Sequence, residues 1–108
     1  MPAIQTSEMA MITAAERKRF RSEAHAKKPI VATGLSGLTN NVIRAVDEAL
    51  EFHELIKIKL HPVLRADRKV QAEQICLATG ATLIQLIGKI AIIYRKKPEK
   101  NASGSSNR

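Results

Sequence analysis

Ile30-Val31-Ala32-Thr33-Gly34-Leu35-Ser36-Gly37-Leu38-Thr39 is the stretch that decides the fold. Residues 30–33 are mostly β-branched and read as a short buried strand. The two glycines that follow let the backbone turn tightly, and Thr39 puts a hydroxyl where the first free amides of a helix need an acceptor. Strand, glycine turn and capped helix in direct succession make a β-α unit, the building block of an α/β domain.

Upstream, Thr13-Ala14-Ala15-Glu16 has the form of a capping box, which predicts a helix from there to about Ala26. Pro29 forbids its continuation, having no N–H to offer. Phe20 is the only large apolar residue of that helix, with Ala24 beside it, so one side rests on the core and the rest stays wet and basic. Downstream, the helix capped by Thr39 runs to about Leu50. Val42, Ile43, Val46, Ala49 and Leu50 form its core face, and Asp47, Glu48 and Glu51 make its outer face acidic.

Ile56-Lys57-Ile58-Lys59-Leu60 alternates as a half-buried strand does, with both lysines on one face. Pro62 ends it. Asp67 to Thr79 reads as a third helix closed by Gly80. Its apolar residues Val70, Ala72, Ile75, Cys76, Leu77 and Ala78 do not share one stripe, which predicts burial on more than one side. Thr82 to Ile87 and Ile90 to Arg95 are strands joined by Gly88-Lys89, a type II′ hairpin signature. The order α-β-α-β-α-β-β implies an α/β fold with a four-stranded mixed sheet packed with helices. No internal repeat is present. Residues 1–12 are expected to be a flexible lead, 13–97 one domain, and 98–108 a disordered tail.

At 108 residues, 44% hydrophobic and 26% charged, the chain suits one soluble domain with one core. Apolar runs fall far short of the roughly 18 residues of a membrane span. Met1 to Thr13 lacks the basic flank and apolar core of a signal peptide. A lone cysteine, Cys76, forms no intramolecular disulfide and fits a reducing compartment. A cytoplasmic protein is expected.

Charge carries the first functional clue. Eighteen Lys and Arg against ten Asp and Glu leave a net charge of +8. So basic a small surface favours a polyanion, because neutralised phosphates release counterions. Arg17 to Lys28 holds Arg17, Lys18, Arg19, Arg21, Lys27 and Lys28 against Glu23 alone, whereas Arg44 to Glu54 is acidic. One basic side reads as a binding face.

Gly34-Leu35-Ser36-Gly37, between a strand and a helix start, offers free amides to an anion. Such turns are also common as plain structure. It is no P-loop, lacking the Gly-Lys-Ser/Thr ending, and no dinucleotide fingerprint. His25, His53 and His61 lack metal-ligand spacing, Cys76 reads as buried filler, and no nucleophile-elbow motif appears. No enzyme activity, metal, cofactor or small-molecule substrate is expected. Phe20, Phe52 and Tyr94 are too few for a base-stacking sheet, so an RNA partner is expected to be held through phosphates and shape, and to be structured RNA.

Lys28-Pro29, Gly34 to Thr39, His53-Glu54-Leu55-Ile56-Lys57-Ile58-Lys59, Gly80-Ala81, Ile87-Gly88-Lys89 and Tyr94-Arg95 together resemble the YhbY family. That family is the stand-alone bacterial form of the CRM (chloroplast RNA splicing and ribosome maturation) domain, and the match runs from about Thr13 to Lys97. The resemblance implies a fold related to the C-terminal domain of translation initiation factor three. It also implies RNA binding, with association to precursors of the large ribosomal subunit during assembly; in plants the same domain occurs in group II intron splicing factors. Gly34, Leu35, Ser36 and Gly37 then take the RNA-contacting role, flanked by basic residues. Family loops often carry a polar or basic residue between the glycines. With Leu35 and Ser36 there, contact rests on backbone amides, Ser36 and neighbouring bases. Residues 61–65 depart from the family pattern.

The expected RNA-binding set is therefore Arg17, Lys18, Arg21, Lys27, Lys28, the 34–37 loop, Lys57, Lys59 and Arg95, in a monomer bound to ribosomal RNA. The rival readings are a basic protein-interaction module using the acidic helix face, and a low-specificity RNA chaperone.

Overall fold

The computed structural model describes residues 12–97. The tail expected over 98–108, and all of the expected lead except Ile12, lie outside the described residues. Helix α1 (Ala14–His25) starts at the capping box, Thr13 Oγ1 accepting from the Glu16 amide while Glu16 accepts from the Thr13 amide, both at 3.0 Å. Then come β1 (Val31–Ala32), α2 (Asn40–His53), β2 (Leu55–Lys59), α3 (Arg65–Thr79), β3 (Thr82–Ile87) and β4 (Ile90–Tyr94).

Strand order is β1-β2-β4-β3, with β1 and β2 parallel and both other pairs antiparallel. The β1-α2-β2 crossover thus joins neighbours, and β2-α3-β3 steps over β4. This is the mixed four-stranded sheet that the element order requires. Gly88 has φ 57° and Lys89 does not share that sign, which distinguishes the II′ hairpin from its I′ relative.

Helices cover both faces. On one, Val46 and Leu50 of α2 and Ala72, Ile75 and Cys76 of α3 pack on Ile56, Ile58, Ala91 and Ile93. On the other, Phe20 and Ala24 of α1 pack on Leu55, Ile84 and Ile92. Full burial of one such aliphatic side chain is worth about 1.5–3 kcal/mol.

Several expectations are corrected. The ladder bonds Ile30 N to Lys57 O and Thr33 N to Lys59 O flank the first strand, so 30–33 is extended, but only Val31 and Ala32 are paired, and as an edge strand it is not buried: Ile30 and Ala32 are exposed. Helix α2 continues past Leu50 to His53 because Glu54, at φ 59°, ends it in a single residue and hands the chain straight to β2. Helix α3 begins at Arg65, not Asp67; Arg68 Nη1 donates to the carbonyls of Pro62 and Val63 and ties down its first turn. Burial of α3 on several sides does not occur. Ala72, Ile75, Cys76 and Thr79 make one stripe, whereas Leu77 is 85% exposed and Val70 is exposed too.

Candidate nucleic-acid interface

Helix α1 lies across one end of its sheet face and is fixed there by two contacts. Phe20 stacks on Tyr94 with ring centroids 4.2 Å apart. Arg17 Nη1 donates to Leu83 O at 3.0 Å and Ile84 O at 2.8 Å. A bulge in β3 makes the second contact possible: the register slips between Leu83 and Gln85, so Ile84 and Gln85 together oppose Ile92. A bulge brings successive carbonyls to one side, within reach of a single guanidinium nitrogen. Arg17 therefore acts as a clamp inside the fold.

Other bases of α1 face outward. Lys18 is exposed, Arg21 is half-buried, and Arg19 pairs with Glu23 at 3.6 Å while lying over the Phe20 ring. Lys57 and Lys59, opposite Ile92 and Ile90 in the β2–β4 register, project on the α1 side of the sheet, as the alternation required. Lys57 Nζ donates to Lys27 O at 3.0 Å, which anchors the linker that carries exposed Lys27 and Lys28.

The path continues to the glycine turn. Thr33 N donates to Lys59 O, and Gly34 follows at once. Gly37 N donates to Gly34 O at 2.9 Å and closes the turn, leaving Leu35 90% exposed at its tip with Ser36 exposed beside it. The two glycines differ in what the fold asks of them. Gly37 sits at φ 73°, where side chains are strained. Gly34 has an ordinary φ and open space around its missing Cβ, so the fold makes no demand for glycine there. Thr39 Oγ1 then caps α2 by accepting from the Val42 amide at 3.2 Å.

Arg95 lies elsewhere. Its Nη1 donates to Asp47 Oδ1 at 2.6 Å and Thr79 O at 2.7 Å, and its Nη2 lies 3.9 Å from Glu51. It pairs with Asp47 on the outer face of α2 and holds a carbonyl at the end of α3. The structure thus brings Arg21, Lys57, Lys59 and the 34–37 turn onto one path, with Lys18, Lys27 and Lys28 at its margin; Arg17 and Arg95 are engaged internally.

Sequence reading missed the bases at the turn's end of the sheet. Arg65 and Lys69, in the first turns of α3, are exposed there, as is Lys89, whose carbonyl accepts from the Leu60 amide at 2.7 Å. A signal existed: bases in a helix's first turn oppose the macrodipole, so they invite an anion. Among the described residues no group of three or more His, Cys, Asp or Glu could hold a metal. No helix among them is long and apolar enough to cross a membrane. Burial, and secondarily Glu73, pushes the Cys76 thiol up to about 11.

These features define a small basic α/β domain with a row of cations, Arg21, Lys57 and Lys59, on the α1 face of its sheet. The chain belongs to the CRS1/YhbY (CRM) domain family, whose pattern it matches over residues 12–95. It is 40% identical to a probable RNA-binding protein of Pseudomonas aeruginosa, over 88% of this chain and 93% of that one. A probable RNA-binding protein of Bacillus subtilis is 33% identical over 82% of this chain and 93% of its own. The solution structure of a Staphylococcus aureus protein described as a candidate RNA binder superposes with a TM-score of 0.74 at 37% identity, covering 82% of this chain and 93% of that one.

Proposed function

We propose that the protein binds RNA, and specifically ribosomal RNA in precursors of the large subunit, as a non-enzymatic assembly factor. The observation that carries this reading is the path of Arg21, Lys57 and Lys59 across one sheet face to the Gly34–Gly37 turn. Phosphates lie along that path, and the turn admits the backbone closely because Gly34 presents no side chain where the fold would tolerate one. The names carried by the relatives agree with RNA as the partner. Ribosomal association rests on the family resemblance. On this reading the protein works as a monomer in the cytoplasm.

A protein-interaction module using the acidic face of α2 fits less well, since Arg95 already pairs with Asp47 there and lies 3.9 Å from Glu51. The test is sedimentation of cell lysate through sucrose at low and high salt, probing for this protein. Co-migration with a large-subunit precursor that is lost in high salt is the expected result, because phosphate contacts weaken steeply with salt. Protein confined to the top of the gradient under both conditions removes the ribosomal claim.

A further inference from the structure

One helix cannot cover a four-stranded face, and α1 leaves the hairpin end of its own face open. The gap is a groove of about 520 Å³ between α1 and the sheet. Ile90 and Ile92 form its floor, Ile87 one wall, Gln85 sits beside them, and Arg21 and Lys57 stand at its rim. Its size falls within the roughly 300–1,000 Å³ of sites that hold small organic groups.

The chemistry of the lining narrows the occupant. Ile87 is 54% exposed, so apolar surface here faces water with cations close by. A flat apolar ring on an anionic tether satisfies both at once, and a nucleotide is such a group. Gln85 faces this groove because of the bulge: it stands opposite Ile92, whereas in an unbroken strand the alternation Leu83, Ile84, Gln85 would turn it to the α2–α3 side. Its amide offers a donor and an acceptor, the pattern of a base edge. A base inside a duplex is stacked and cannot present its face or its pairing edge to such a floor. Scarcity of aromatics argues against a stacking platform, but it leaves aliphatic contact open.

We propose that the groove between α1 and the β3–β4 hairpin takes one unpaired nucleotide, its base on Ile87, Ile90 and Ile92, its edge at Gln85, and its phosphate between Arg21 and Lys57. This deepens the RNA reading and rests on it: the bound element is RNA with a splayed-out base, not uninterrupted helix.

The test uses two RNA hairpins of the same stem, one fully paired and one with a bulged 2-aminopurine, titrated with the full-length protein at one fixed salt concentration. The bulged hairpin should bind about tenfold tighter, the scale of one base contact, and its 2-aminopurine emission should change on binding. Ile87→Asn, at an exposed position, should abolish the preference while leaving affinity for the paired hairpin within about twofold. Gln85→Ala should reduce it without loss of fold, checked by circular dichroism. Equal affinity for the two hairpins overturns the groove assignment and leaves the RNA reading standing, as does a preference that survives Ile87→Asn. Binding to neither hairpin overturns both.

Discussion

Arg95 donates to Asp47 at 2.6 Å across the junction of sheet and helix, and this pair separates the two electrical sides of the molecule. Four protein oxygens surround its guanidinium: Asp47 Oδ1, Asp47 O, Thr79 O and, more distantly, Glu51 Oε2. Arg95→Ala should lower stability by about 1–2 kcal/mol, since a half-screened set of charged hydrogen bonds is lost. RNA affinity should fall by less than about twofold, as no phosphate contact is removed. Urea melts and an RNA titration read the two effects separately.

Lys59 should behave in the opposite way. It is exposed, its side chain makes no hydrogen bond to the described residues, and it lies between Lys57 and the glycine turn. Lys59→Ala should leave the melting curve unmoved and weaken RNA binding. The slope of log affinity against log salt should shrink by about 0.7–0.9, one phosphate contact. An unchanged slope takes Lys59 off the RNA path.

The two glycines of the turn should part company. Gly37→Ala forces a side chain onto φ 73° and should destabilise by about 1–2 kcal/mol. Gly34→Ala meets nothing within 4 Å and should fold as the parent does. If a phosphate approaches the backbone at Gly34, that same variant loses RNA affinity with stability intact. A Gly34→Ala protein that binds as before shows that the turn serves the fold alone.

Cys76 gives a pH prediction. Burial, then the charge of Glu73, raises its thiol from 9.0 to about 11. Below 9 the thiol is protonated in folded and unfolded chains alike, so it contributes no pH dependence. Between 9 and 11 the unfolded thiol ionises while the folded one resists, so stability falls as pH rises through that window. Urea midpoints should drop more steeply there for the parent than for Cys76→Ala. The native thiol should also resist alkylation near neutral pH and react only on unfolding.

Local chemistry made much of this structure legible in sequence. Thr13 and Glu16 announced the first helix, Lys57 and Lys59 the half-covered strand, and Gly88 the hairpin, because each signal lies within a few residues of the feature it sets. Long-range partners were hidden. Nothing near Arg95 in sequence points to Asp47, and nothing near Arg17 points to a pair of carbonyls in β3. The bulge at Ile84 has no glycine to mark it, so neither the clamp it provides nor the turning of Gln85 could be foreseen. Val70 and Leu77 misled because a helix interior reading assigns apolar residues to a core, whereas here α3 buries one stripe and exposes these two.

Ultraviolet crosslinking in intact cells, with RNA-bearing peptides identified by mass spectrometry, tests the central claim most directly. Adducts to ribosomal RNA should fall within residues 18–37, 57–61 and 85–90, the basic path and the groove beside it. Adducts concentrated on the outer face of α2 around Asp47 and Glu51, or no RNA adducts at all, would contradict it.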